Sequence, residues 1–162
     1  MTANVIQPLS LFQKMKEEDF GPIIQNVCVE HGISQHQAEE LLEAFLQWFS
    51  LIPSLTKGKA LQMLASVDKI WHSMILHTKF YRTFCKKYIG YYVDHNPLDV
   101  KGNSLELKNE YANTTLTMLD ESFGDQAHPE LKNLKHSLTC CFFYKKGSKR
   151  KCGKRNTYVV KK

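Results

Sequence analysis

No stretch of this 162-residue chain stays apolar for the ~18 residues that a helical membrane crossing needs. The longest candidates, residues 41–55 and 70–75, are interrupted by polar groups. The first ten residues lack a basic region followed by an apolar one, so no secretory signal is read there and the expected location is the cytoplasm. Export by a route that reads other signals stays open. Cysteine is scarce and odd in number: Cys28, Cys85, Cys140, Cys141 and Cys152. An odd count without a signal argues against a disulfide framework, leaving reduced thiols as the expectation and metal binding as the alternative use. Several catalytic signatures are missing as well. There is no Gly-x-Ser-x-Gly, no P-loop and no dinucleotide fingerprint, and neither Cys-x-x-Cys nor His-Glu-x-x-His occurs.

Acidic residues are also absent after Glu130, and this divides the chain electrically. Residues 132–162 hold eleven Lys or Arg and no carboxylate, whereas residues 1–131 hold eleven basic and all sixteen acidic side chains. The body is therefore mildly acidic, and the pI near 9.0 belongs to the tail. A basic face on the body is not implied.

What is present reads as one domain. The apolar share of 43% and charged share of 23% are ordinary globular values, enough for a single core. Helical spacing dominates. A first helical region over 11–30 is interrupted by Gly21-Pro22, and Gly32 stops it. Ser34 and Gln37 match a capping box ahead of Leu41, Leu42, Phe45, Leu46, Trp48 and Phe49, a run that Pro53 ends. An apolar stretch at 60–65 precedes Ser66, which is read as the cap of a helix from Val67. Thr78 is read as opening a further helix that Gly90 closes. A long helix follows Ser104 and stops at Gly124, and a shorter one runs over 129–138. The expectation is an all-α fold, a compact bundle of five or six helices spanning 1–138. After it comes a basic tail, 139–162, irregular or folded into a small hairpin from the β-favouring runs 139–144 and 157–160.

The residues that carry chemistry concentrate between 67 and 97. Asp68 and His72 are four apart, so on a helix the carboxylate can orient the imidazole. His77, Tyr81 and Cys85 repeat the same spacing and form one stripe if the helix is continuous. His95, beyond the Gly90 stop, is placed to fold back. A candidate ligand set for zinc or iron is His72, Cys85 and His95, with His77 or Asp68 as a fourth donor and Asp68, Trp71, His77 and Tyr81 otherwise lining or supporting it. The spacing matches no common zinc motif. The plainer reading makes Trp71 and Tyr81 core anchors and Cys85 a small buried hydrophobe.

The run Val67-Asp68-x-x-Trp71-His72-x-x-Ile75-Leu76-His77-Thr78-x-x-Tyr81-x-x-Phe84-Cys85, then Gly90 and His95-x-Pro97, resembles the bacterial glycine-rich domain-containing protein-like family, which is related through this segment to plant glycine-rich domain proteins. The likeness extends over residues 60–125. It implies a shared helical module without a defined activity, and motif positions Asp68, Trp71, His72, His77, Tyr81, Cys85, Gly90 and His95. The glycine-rich part is absent, with eight Gly in the whole chain. Where some members carry a second His, this chain has Met74.

Two further groups lie near the end. His136, Cys140, Cys141 and Cys152 form a candidate zinc knuckle. Lys149, Arg150, Lys151, Lys154 and Arg155 are candidate phosphate contacts, with Phe142, Phe143 and Tyr144 beside them for stacking. The leading expectation is a helical module that binds another protein and holds a metal at the His/Cys site. The alternatives are a nucleic-acid-associated protein acting through 139–162, and a small metal- or thiol-dependent enzyme.

Overall fold

The computed structural model describes residues 7–97, 105–135 and 139–144. Among them the chain forms seven α-helices: α1 (Pro8–Met15), α2 (Gly21–His31), α3 (Gln35–Ser50), α4 (Ala65–Leu76), α5 (Thr78–Tyr88), α6 (Leu105–Phe123) and α7 (Pro129–Lys132). The expected helical fold is the observed one, and its boundaries follow local chemistry. Proline lies in the first turn of α1, α2 and α7, where its missing N–H costs no hydrogen bond. Ser34 Oγ accepts from the Gln37 N–H while the Gln37 side chain accepts from the Ser34 N–H, completing the capping box of α3. Gly32 ends α2 at φ 62°, a left-handed conformation that suits glycine.

α3 is the central element. It packs against α1, α2, α4 and α7, and Ala44 through Ser50 are buried without interruption. Phe45, Trp48 and Phe49 meet Trp71 and Tyr81 there, with the two indole rings 5.0 Å apart. Apolar burial of this kind is the main stabilising term for a chain of this size.

A small sheet joins the helices. The stretch 60–65 is mostly a strand, β1 (Ala60–Leu64), buried at all five positions. β3 (Thr139–Tyr144) pairs with it antiparallel and also pairs with β2 (Asn96–Pro97), giving the order β1-β3-β2. The run 139–144 is therefore extended as expected, but its partners are β1 and β2. The other expected hairpin arm, 157–160, lies outside the described residues. A short buried apolar run has no periodicity that separates strand from helix, so β1 declares itself only through its partners. Its backbone is also tied by side chains: Trp48 Nε1 donates to the Gln62 carbonyl at 2.8 Å, and the Gln62 N–H donates to Thr115 Oγ1 at 2.9 Å. β1 runs directly into α4, with Leu64 in the N-cap position. Ser66, expected as that cap, instead donates to Glu130 at the start of α7.

Candidate metal centre

Asp68 sits in the first turn of α4, where the helix dipole favours an anion. Its side chain is only 4% exposed, and a buried carboxylate needs strong partners. It has two. His72, one turn further along α4, brings Nε2 to 3.1 Å from Oδ2. His95 brings Nε2 to 2.9 Å from Oδ1. One carboxylate thus holds two imidazoles, one on each oxygen. The rings lie 4.6 Å apart, and the His95 ring stands edge-on to Trp71, also at 4.6 Å. His72 is 58% exposed and His95 16%, so the group opens to solvent on the His72 side.

The fold-back of His95 has a local cause. α5 ends at Tyr88, and Gly90 adopts φ 90° while the N–H groups of Ile89 and Gly90 both bond to the Cys85 carbonyl. The chain reverses there and runs back to β2. Val93 is fully buried on the way, and its carbonyl accepts the Tyr81 hydroxyl at 2.7 Å.

The other expected members lie elsewhere. Between α4 and α5, His77 takes φ −82° and ψ 62°, which is not helical. α4 and α5 are separate helices here and His77 is the N-cap of α5, so Tyr81 and Cys85 keep their spacing of four along α5 while the His77 side chain leaves the stripe. His77 Nδ1 instead sits 2.8 Å from the Ser73 carbonyl, at the C-terminal end of α4. Tyr81 and Cys85 point into the core and are fully buried. Trp71 Nε1 donates to the Tyr81 hydroxyl at 2.8 Å, so the indole finds a phenol rather than a carbonyl. Burial pushes the Cys85 thiol up, and burial likewise raises the Tyr81 phenol. A thiol held protonated is a poor metal ligand and a poor nucleophile. Cys85 is not among the ligand atoms that lie together, whereas Asp68, expected as a supporting residue or fourth donor, is one of the three. The sequence signal for that was present in the four-residue spacing of Asp68 and His72. Lys149, Arg150, Lys151, Lys154 and Arg155 lie outside the described residues, as do His136, Cys152 and the side chains of Cys140 and Cys141.

The ligand atoms of Asp68, His72 and His95 all lie within 4.8 Å of one another, a group that can hold a metal ion. Bonds of ~2.0–2.2 Å in a tetrahedral shell put neighbouring ligand atoms roughly 3.3–3.5 Å apart. The two histidine contacts are made on different carboxylate oxygens, so the three donors would draw together around one such ion from a span of up to 4.8 Å. Two imidazoles with one carboxylate is a donor set suited to zinc or iron(II), and harder than a thiolate site.

The fold and this group define a small helical domain with a two-histidine, one-carboxylate cluster on α4 and the loop after α5. The chain belongs to the UCP032817-like family, whose model matches residues 15–123, from the end of α1 through α6 and including all three donors. No curated protein and no solved structure gives a significant match. No helix among the described residues is long and apolar enough to cross a membrane.

Proposed function

We propose that this protein binds a divalent transition-metal ion, zinc or iron(II), through Asp68, His72 and His95. The observation that carries the reading is the single buried carboxylate engaged by two imidazole Nε2 atoms from separate elements. An ion at that point would take the place of the two Nε2–H protons that face the carboxylate. His72 is the most exposed donor, so the ion would be reachable from outside, where a partner protein or a small ligand can meet it. Such a site suits a binding module, and it also suits metal-assisted hydrolysis, because a bound water of lowered pKa is what three-ligand zinc sites supply. Cys85 supports neither thiol chemistry nor a place among the ligands. The likeness of residues 67–97 to glycine-rich domain-containing protein-like proteins is carried by these same positions, and we extend the proposal to them. The nucleic-acid reading of 139–162 rests on charge alone.

The test is titration of metal-free protein with Zn²⁺, with Co²⁺ as a spectroscopic probe. One ion per chain is expected, with binding weakened strongly in H72A and H95A and retained in C85S. Absence of stoichiometric binding, or binding indifferent to both histidines, would overturn the proposal. Loss of binding in a folded C85S protein would return the site to the cysteine.

A further inference from the structure

We infer that Tyr81 is a positioning residue for the metal centre: its hydroxyl ties the segment carrying His95 to the helix carrying Asp68 and His72. The inference rests on the metal reading and extends it to a side chain that touches no donor atom.

Asp68 and His72 need no outside help to meet, since they share a helix face. His95 does. It comes from a loop that enters through the Gly90 turn and leaves through β2, a strand of only two residues. Between those ends the loop is tied by a hydrogen bond at Val93, two residues before His95, beside an edge-on contact of the Tyr92 ring with Tyr81. There the Tyr81 hydroxyl donates to the Val93 carbonyl at 2.7 Å while accepting from Trp71 Nε1 at 2.8 Å. A phenol has one proton to give, and this one gives it to the loop. Trp71 is the immediate neighbour of His72, and its ring forms one wall against His95. The strut therefore runs from the donor-bearing helix, through α5, to the donor-bearing loop.

Apolar packing alone does not explain the hydroxyl. Phenylalanine would fill the same space at a fully buried position without a polar atom to satisfy. Removing the hydroxyl leaves an indole N–H and a carbonyl unpaired and frees the loop to drift. Residues that orient metal ligands typically change affinity by about 10–100-fold when lost.

The experiment measures Zn²⁺ affinity by competition with a chromophoric chelator in wild type, Tyr81→Phe, His95→Ala and the double variant, at a temperature where each metal-free protein is folded. Y81F is expected to bind about 10–100-fold more weakly than wild type. In the H95A background it is expected to add little, because its effect passes through His95. F84L, a core truncation on the same helix, serves as the control for destabilisation alone and is expected to leave affinity within about 3-fold. Equal affinity of Y81F and wild type, a full additional loss in the H95A background, or an equal loss in F84L would each overturn the inference. If wild type binds no Zn²⁺, it is the metal reading that fails. Should Y81F not fold, solvent exchange of the Tyr81 hydroxyl proton is followed by NMR in the wild type: slower exchange on Zn²⁺ binding is expected, because the strut and the donor loop stabilise each other, and exchange unchanged by Zn²⁺ would overturn the inference.

Discussion

Two carboxylates, Asp68 and Glu18, each draw in side chains that lie far away in the sequence, and of the two it is Asp68 that makes a candidate site. Asp68 gathers His72 and His95. Glu18, in the turn after α1, gathers Lys87 and the Tyr88 hydroxyl, the latter at 2.6 Å, both from the end of α5. The difference lies in burial and in the chemistry of the partners. Asp68 is 4% exposed and Glu18 26%. An ammonium and a phenol offer protons but no lone pair suited to an ion at neutral pH, so Glu18 is a strut holding α5 to α1. Two imidazoles keep lone pairs to offer once their protons leave, so Asp68 can exchange a hydrogen-bonded cluster for a coordinated one. A carboxylate with two partners is therefore uninformative until the partners are named.

The sharpest way to break that contrast is to neutralise each carboxylate in turn. Asp68→Asn is expected to weaken Zn²⁺ binding by more than about 100-fold, beyond what residues that only orient ligands usually cost. Glu18→Gln is expected to leave it within about 2-fold of wild type, within the range of a remote surface change. Parallel titrations decide it, and equal losses would mean that neither carboxylate is a ligand. The same contrast extends to the two tyrosines. Tyr81→Phe orphans two buried groups and is expected to cost about 1–3 kcal/mol in denaturant unfolding of the metal-free protein. Tyr88→Phe removes a partly exposed hydroxyl shared between Glu18 and the Lys14 carbonyl and is expected to cost less than about 1 kcal/mol. A Tyr88 effect as large as that of Tyr81 would show that the strut is buried more effectively than its exposure indicates.

Legibility in the sequence tracks distance along the chain. The capping box at Ser34, the glycine stops at Gly32, Gly90 and Gly124, and the pairing of Asp68 with His72 all involve residues within four positions, and each was readable. His95 was readable as a fold-back because Gly90 marks a reversal, although the oxygen it meets was not. Cys85 was misplaced for a physical reason: its spacing of four from Tyr81 holds along α5, but that face of the helix turns into the core, and spacing alone does not say which way a face points. β1 was unreadable because a buried strand and a buried helical turn present the same apolar run, and its partner lies some eighty residues away. The helical fold was thus largely visible, the first half of the metal group was visible, and the part assembled by the sheet and the loop was not.

The weakest expected effect separates the two clusters by pH rather than by metal. The hydrogen bond from Lys87, then that from Tyr88, holds the Glu18 carboxyl below its ordinary value of 4.5. A depressed carboxylate contributes its stability in full above its unfolded pKa and loses it as pH falls through the lower, folded value. The Lys87 ammonium is raised, chiefly by its bond to Glu18. It contributes fully below its ordinary 10.5 and loses its part only as pH rises through the folded value. The strut is therefore at full strength between about 5 and 10 and fades in acid first. Its exposure keeps the contribution of the charges small. Denaturant midpoints of wild type and Glu18→Gln should differ slightly at pH 7 and converge as pH approaches 3, and the gap at pH 7 should narrow in 1 M salt, where exposed charges are screened. A gap that persists unchanged in acid would mean that Glu18 acts by packing rather than by charge, and the strut would then differ from the Asp68 cluster in kind, not only in exposure.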